Sequence, residues 1–208
     1  MPAAPRSAIY VASPEGDTGK STVALGILHR LTATAAKVGV FRPITRMGEQ
    51  RDYILELLLD HTTAGLPYEE CVGVSYQQLH ADPDTAIADI VDRFHQVADQ
   101  CDAVVVVGSD YTDIATPSEL SMNARIAANL GIPVVLTVKG RDRTTDRIVK
   151  LVEVCVDEIA AQHAHTAAVV VNRSDPQRMA EIADALQRLE PAGLKNLKSY
   201  VLPEEPLL

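Results

Sequence analysis

Short apolar runs rich in β-branched residues alternate along this chain with amphipathic stretches of helical period. Residues 8–12, 37–41, 102–107, 133–138 and 167–171 read as strands, and 199–202 as a short sixth. Their apolar character is near-continuous rather than alternating, so both faces of the sheet are expected to be covered. Helices fill the intervals, the first over 23–28, directly after the first strand. Ile87, Ile90, Val91 and Phe94 keep the i, i+3, i+4, i+7 spacing. Met179, Ile182, Leu186 and Leu189 hold one face of another helix. Asp82-Pro83, Pro117-Ser118-Glu119 and Asp175-Pro176 mark helix starts, and Gly131 marks a stop before the fourth strand. Residues 65–81 carry no clear period and admit a short strand within 68–74. The alternation predicts an α/β fold: three layers, a mostly parallel sheet with helices on both faces, and right-handed crossovers. Ligands in such sheets sit beyond the carboxyl ends of the strands. Chemistry is therefore to be sought in the residues just after each strand.

Composition narrows the picture. The 208 residues fit one large domain, read as 1–202, with a linker beginning at 203. Apolar residues make up 47% and aromatics only 4%, with no Trp, so the core must rest on Val, Leu, Ile and Ala. A formal net charge of −9 with no basic stripe argues against a nucleic-acid partner. Cys71, Cys101 and Cys155 are odd in number and widely spaced, which suits buried thiols in a reducing compartment. Neither a secretory leader nor a membrane-length apolar run is visible, so a cytoplasmic protein is expected.

One run carries most of the chemistry: Ser13-Pro14-Glu15-Gly16-Asp17-Thr18-Gly19-Lys20-Ser21-Thr22. Set between a strand and a helix, it predicts a phosphate-binding loop. The backbone N–H groups of a helix N-terminus point at an anion, and the macrodipole favours negative charge there. Gly16, Asp17, Thr18, Gly19, Lys20, Ser21 and Thr22 are the expected phosphate-binding residues, with Lys20 on the terminal phosphates and the Ser21 hydroxyl on Mg²⁺. The spacing departs from the common pattern. Glycine is wanted at position 14 or, one residue longer, at 13; the chain has Pro14 and Ser13. Gly16 and Gly19 remain for close approach to a phosphate.

Other candidates stand at strand ends. Arg42, after the second strand, reads either as a cation for a substrate or nucleotide anion or as a solvated loop arginine, with Pro43 stiffening the turn. A Mg²⁺-holding carboxylate is expected at the end of the third strand. The residues there are Val106, Val107, Gly108 and Ser109, and Asp110 is the nearest acid. Asp110 reads as a metal ligand or as a helix cap. Asp17 reads as a second acid or as a residue bonding within its own turn. Asn172, at the end of the fifth strand, reads as a donor–acceptor pair for an adenine edge or as a turn former. Residues 141–147 alternate in charge and read as a solvated turn with a Thr cap. The six histidines show neither triad nor metal logic.

Taken together, these residues resemble the dethiobiotin-synthetase-like branch of the phosphate-loop proteins. The longer loop (13–21), Arg42-Pro43-Ile44, Asn172-Arg173 and Leu202-Pro203-Glu204-Glu205-Pro206 carry the likeness. Four segments (39–44, 51–59, 105–112 and the tail) are similar to the N-terminal domain of the bacterial phosphate acetyltransferases. That resemblance implies a regulatory, oligomer-forming domain within an enzyme that interconverts acetyl-CoA plus phosphate with acetyl phosphate plus CoA. A middle domain and an acetyltransferase domain would follow it. The effector stays open among ATP or another nucleotide with Mg²⁺, NADH and a small acid. The ligase branch has Glu where Val107 stands, Lys where Arg42 stands and Gly where Ser13 stands. Loss of the carboxylate removes charge organisation that phosphoryl transfer needs. The expectation is a nucleotide or anion sensor. A free-standing ATP-dependent ligase and a catalytically silent oligomerisation module are the alternatives.

Overall fold

The structure is a computed structural model and describes residues 7–46, 51–109, 119–189 and 197–205. The chain packs as two compact units. The first comprises Met1–Val11, Ser21–Ser109 and Asn129–Ile132; the second comprises Ala12–Lys20, Asp110–Ala128 and Pro133–Leu208.

The first unit carries strands β1 (Ser7–Ala12), β2 (Val38–Thr45), β3 (Val72–Ser75) and β4 (Ala103–Val107), in the order β3-β2-β4-β1. All three pairings are parallel. The β1–β4 register runs from Ser7 opposite Ala103 to Val11 opposite Val107. Val38 to Phe41 of β2 pair with Ala103 to Val106. Every residue of β4 is buried, and so are the first seven of the eight in β2, so successive side chains on both faces are covered as expected. β2 runs four residues past the predicted end. Its outer half pairs with β3, Arg42 opposite Val72 and Ile44 opposite Val74, and this partner draws Arg42 and Pro43 into the strand. The predicted turn at Pro43 is thus corrected to strand. A partner some thirty residues on leaves no local periodic signal at positions 42–45.

Helices α1 (Lys20–Thr32), α2 (Tyr53–Leu59), α3 (Tyr76–Ala81) and α4 (Pro83–Ala98) connect these strands. Asp52 caps α2 by accepting from the Leu55 N–H, and Ser75 caps α3 in a reciprocal box with Gln78. Asp82 caps α4, with Pro83 in its first turn as predicted. Ile87, Ile90 and Phe94 form the buried face of α4, and the Phe94 ring meets Phe41 of β2 edge-on, centroids 5.8 Å apart.

β5 (Val134–Lys139), β6 (Thr166–Ser174) and β7 (Lys198–Pro203) lie in that order and run parallel in the second unit. β6 also outruns its prediction and takes Asn172, Arg173 and Ser174 into the strand, with Asn172 opposite Lys139. Reading Asn172 as a turn former is thereby overturned. α6 (Thr145–Ala161) starts at the predicted threonine: Thr144 accepts from the Arg147 N–H. Ile148, Val152, Val156 and Ile159 of α6 are buried, as are Ile182 and Leu186 of α7 (Met179–Gln187). α5 (Glu119–Leu130) ends at Gly131, the predicted stop. The fold is the expected α/β class with parallel strands. No described helix is long and apolar enough to cross a membrane.

Candidate functional site

The loop Ser13–Gly19 leaves β1 and enters α1, whose first residue, Lys20, is 3% exposed. The first N–H groups of a helix have no partner within it, and the dipole adds partial positive charge. Lys20 is therefore buried at an end that already attracts anions. Gly19 sits at φ 75°, in the left-handed region. A Cβ there would also collide with the Asn172 side-chain amide. Only glycine meets both demands. Gly16 has open space where a Cβ would stand.

Asn172 braces the loop from β6. Its Nδ2 donates to the Thr18 carbonyl at 3.0 Å, in a buried contact. One of its two N–H donors is thus used on the loop itself. Ser13, at the position where the loop pattern asks for glycine, is fully buried, and its hydroxyl has no hydrogen-bond partner among the described residues. Buried polar groups are ordinarily bonded, so this hydroxyl marks a place in the loop where an acceptor or donor is wanted.

Two loop carboxylates meet three cations from the ends of β5 and β6. Glu15 and Arg143 form a two-pronged pair, Nη1–Oε1 at 2.5 Å and Nη2–Oε2 at 2.8 Å. Arg143 also donates to the Lys139 carbonyl at 2.9 Å. Arg173 binds both the carboxylate and the backbone carbonyl of Asp17, and Lys139 lies 3.4 Å from the same carboxylate. The hydrogen bond from Arg143 holds the Glu15 carboxyl below the usual glutamate range, against the opposing effect of burial. The bond from Arg173, with its charge, does the same for Asp17. Glu15 in turn raises Arg143. The reading of Asp17 as bonding within its own turn is corrected, since it pairs with residues far along the chain. The reading of 141–147 as a solvated turn with a Thr cap holds at exposed Asp142, Thr144, Asp146 and Arg147 and fails at Arg143, which is committed to Glu15. Glu15, Lys139, Arg143 and Arg173 went unrecognised in the sequence. Their shared signal is position: all lie just beyond a strand or at its last residues.

In the first unit, Arg42 is 2% exposed. Its Nε faces Asp52 Oδ2 at 3.1 Å, and its Nη1 donates to the carbonyls of Val107 (3.1 Å) and Gly108 (2.5 Å). Arg42 is therefore not the solvated loop arginine allowed above. It is a buried clamp tying β2 and α2 to the end of β4. Ser21 is partly buried and Thr22 exposed on the first turn of α1. Asp110 lies outside the described residues.

Mg²⁺, implied by the phosphate-loop resemblance, is not fitted by the donors described. No group of three His, Cys, Asp or Glu side chains gathers to hold an ion among the described residues. Val107 and Gly108 stand where a carboxylate is wanted, and their carbonyls accept from a guanidinium. Of the expected ligands, the Ser21 hydroxyl and Asp17 fall among the described residues, and Asp17 is paired with Arg173 and Lys139, whereas Mg²⁺ sites use one or two carboxylates with the substrate phosphates.

A family model described as an AAA domain matches residues 7–195. The chain belongs to this AAA-domain family. Among curated relatives of this AAA-domain chain, a phosphate acetyltransferase of Nitratidesulfovibrio vulgaris is 29% identical over 212 residues, covering 96% of this chain and 30% of that protein. A phosphate acetyltransferase of Synechocystis sp. is 25% identical over 189 residues, covering 88% of this chain and 27% of that protein. The chain thus spans less than a third of the length of these relatives. Among solved structures, the MinC:MinD cell division protein complex of Aquifex aeolicus aligns with a TM-score of 0.57 at 16% identity, over 97% of this chain and 83% of that one. The ATP complex of a Cyanothece McdA variant aligns with a TM-score of 0.55 at 13% identity, over 96% and 84%. These last two likenesses are of fold.

Proposed function

We propose that this AAA-domain chain is a nucleotide-sensing regulatory module of a phosphate acetyltransferase, and that it binds its effector without turning it over. The observation that carries the reading is the braced loop: Lys20 buried at the mouth of α1, Gly19 in the left-handed region, and Asn172 holding the Thr18 carbonyl. Main-chain amides and an ammonium group gathered at a helix N-terminus suit a nucleotide's phosphates. The similarity to phosphate acetyltransferases supports such an enzyme as the parent, a cytoplasmic and homo-oligomeric one in this proposal. Its reaction would convert acetyl-CoA and phosphate to acetyl phosphate and CoA, with acetyl-transfer residues outside this chain.

Against the ligase alternative stands the end of β4, where Val107 replaces a carboxylate and Arg42 occupies the adjoining carbonyls. Calorimetric titration with ATP decides. Saturable heat from the parent chain, much weakened in Lys20→Ala, is expected. Silence from both proteins would leave the fold as an oligomerisation module. Formation of dethiobiotin by the isolated chain would establish the ligase instead.

A further inference from the structure

A cavity of about 580 Å³ opens in the second unit, a volume within the range of small-molecule sites. Four arginines line it: Arg141, Arg143, Arg173 and Arg178, together with Thr144 and Glu204. Like charges so gathered repel unless anions lie among them. The chain supplies one carboxylate to each: Glu204 to Arg141, Glu15 to Arg143, Asp17 to Arg173 and Glu181 to Arg178. These pairs leave donors unused, because a guanidinium carries five N–H groups. Arg141 Nε is the clearest case: buried, and without a hydrogen-bond partner among the described residues. A buried charged donor left in that state is destabilising unless something accepts from it.

The backbone is also shaped here. Asp142 (φ 59°) and Arg173 (φ 55°) are non-glycine residues in the left-handed region, and such strain gathers at functional sites. At Gly140 a Cβ would collide with Ser174, so the ends of β5 and β6 meet closely and bring Arg141 and Arg173 to one rim. Arg178 is fixed by donating to the Arg143 carbonyl and to Thr145 Oγ1, each at 2.7 Å. The N-terminus of α6, capped by Thr144, adds partial positive charge.

We infer that this cavity, which adjoins the phosphate loop through Arg143 and Arg173, is a second anion site and that it takes a small phosphorylated molecule. The phosphate sits among the guanidiniums of Arg141 and Arg178 and displaces Glu204 from Arg141. Glu204 is the carboxylate poised to leave, because its side chain is 34% exposed and it follows directly after β7. A phosphate dianion accepts more hydrogen bonds than the carboxylate it replaces, and it reaches the Nε donor that Glu204 leaves unbonded.

Inorganic pyrophosphate is the probe, titrated by calorimetry into Lys20→Ala chain so that the loop's ammonium group contributes nothing. Saturable binding is expected. Adding Arg141→Gln should weaken it about tenfold. Adding Glu204→Gln should strengthen it, a gain that misfolding cannot imitate. Absent binding to Lys20→Ala overturns the inference, as does an affinity that neither further substitution moves. The nucleotide reading fails separately: there the parent chain gives no heat with ATP, while pyrophosphate still binds and still responds to Arg141 and Glu204.

Discussion

The side-chain amide of Asn172 donates to the backbone carbonyl of Thr18, 154 positions earlier in the chain, at 3.0 Å. This bond joins the end of β6 to the phosphate loop and sets the space above Gly19. Asn172→Ala strands a buried carbonyl, at about 1–3 kcal/mol of stability. The loss should appear as a lower urea midpoint with an unchanged m-value. Gly19→Ala carries two penalties, a left-handed φ and a collision with the Asn172 amide. In the double variant the collision disappears and the φ penalty stays. The two changes should therefore sum to less than their separate effects, and a double-mutant cycle measures the difference.

Arg42 and Asp52 form an ion pair with side chains 2% and 8% exposed. Removing one partner leaves the other charged and buried. Arg42→Met should cost about 3–5 kcal/mol in urea unfolding. Arg42→Lys should not rescue it, because one ammonium cannot serve Asp52 and two carbonyls with the geometry of a planar fork.

The Glu15–Arg143 pair predicts a pH dependence. Arg143 holds the Glu15 carboxyl below its ordinary value of 4.5 in the folded chain. The folded state thus binds that proton less readily than the unfolded state. The pair's contribution is complete above pH 4.5 and is lost as pH falls through the depressed folded value. The melting temperature of the parent should exceed that of Glu15→Gln at neutral pH, with the gap closing under acid. Both groups are partly exposed, so added salt should narrow the neutral-pH gap.

All three cysteines are buried thiols. Burial pushes Cys71 and Cys155 up to about 12, which leaves little thiolate at neutral pH. Ellman's reagent should react slowly with the native chain and titrate three thiols promptly in denaturant. Fast native labelling would mean that the packing around β3 in the first unit, or around α6 in the second, opens readily.

Local pattern alone revealed the alternation of strands and helices, the starts of α4 and α6, the stop at Gly131 and the loop at Gly19-Lys20-Ser21. Each rests on residues within a turn or two of one another, where period, capping and backbone preference act. Strand length was less legible: β2 and β6 are extended by the partners beside them, and those partners lie far off in sequence. The charges of the site were the least legible. Glu15 meets Arg143 across 128 positions, Asp17 meets Arg173 across 156, and Arg42 reaches Val107 across 65. Which ions pair depends on strand order and register, and a guanidinium in a string of letters looks the same whether it faces water, a ligand or its own chain. Residue order made the Gly19-Lys20-Ser21 loop; folding chose which of its charges were already answered.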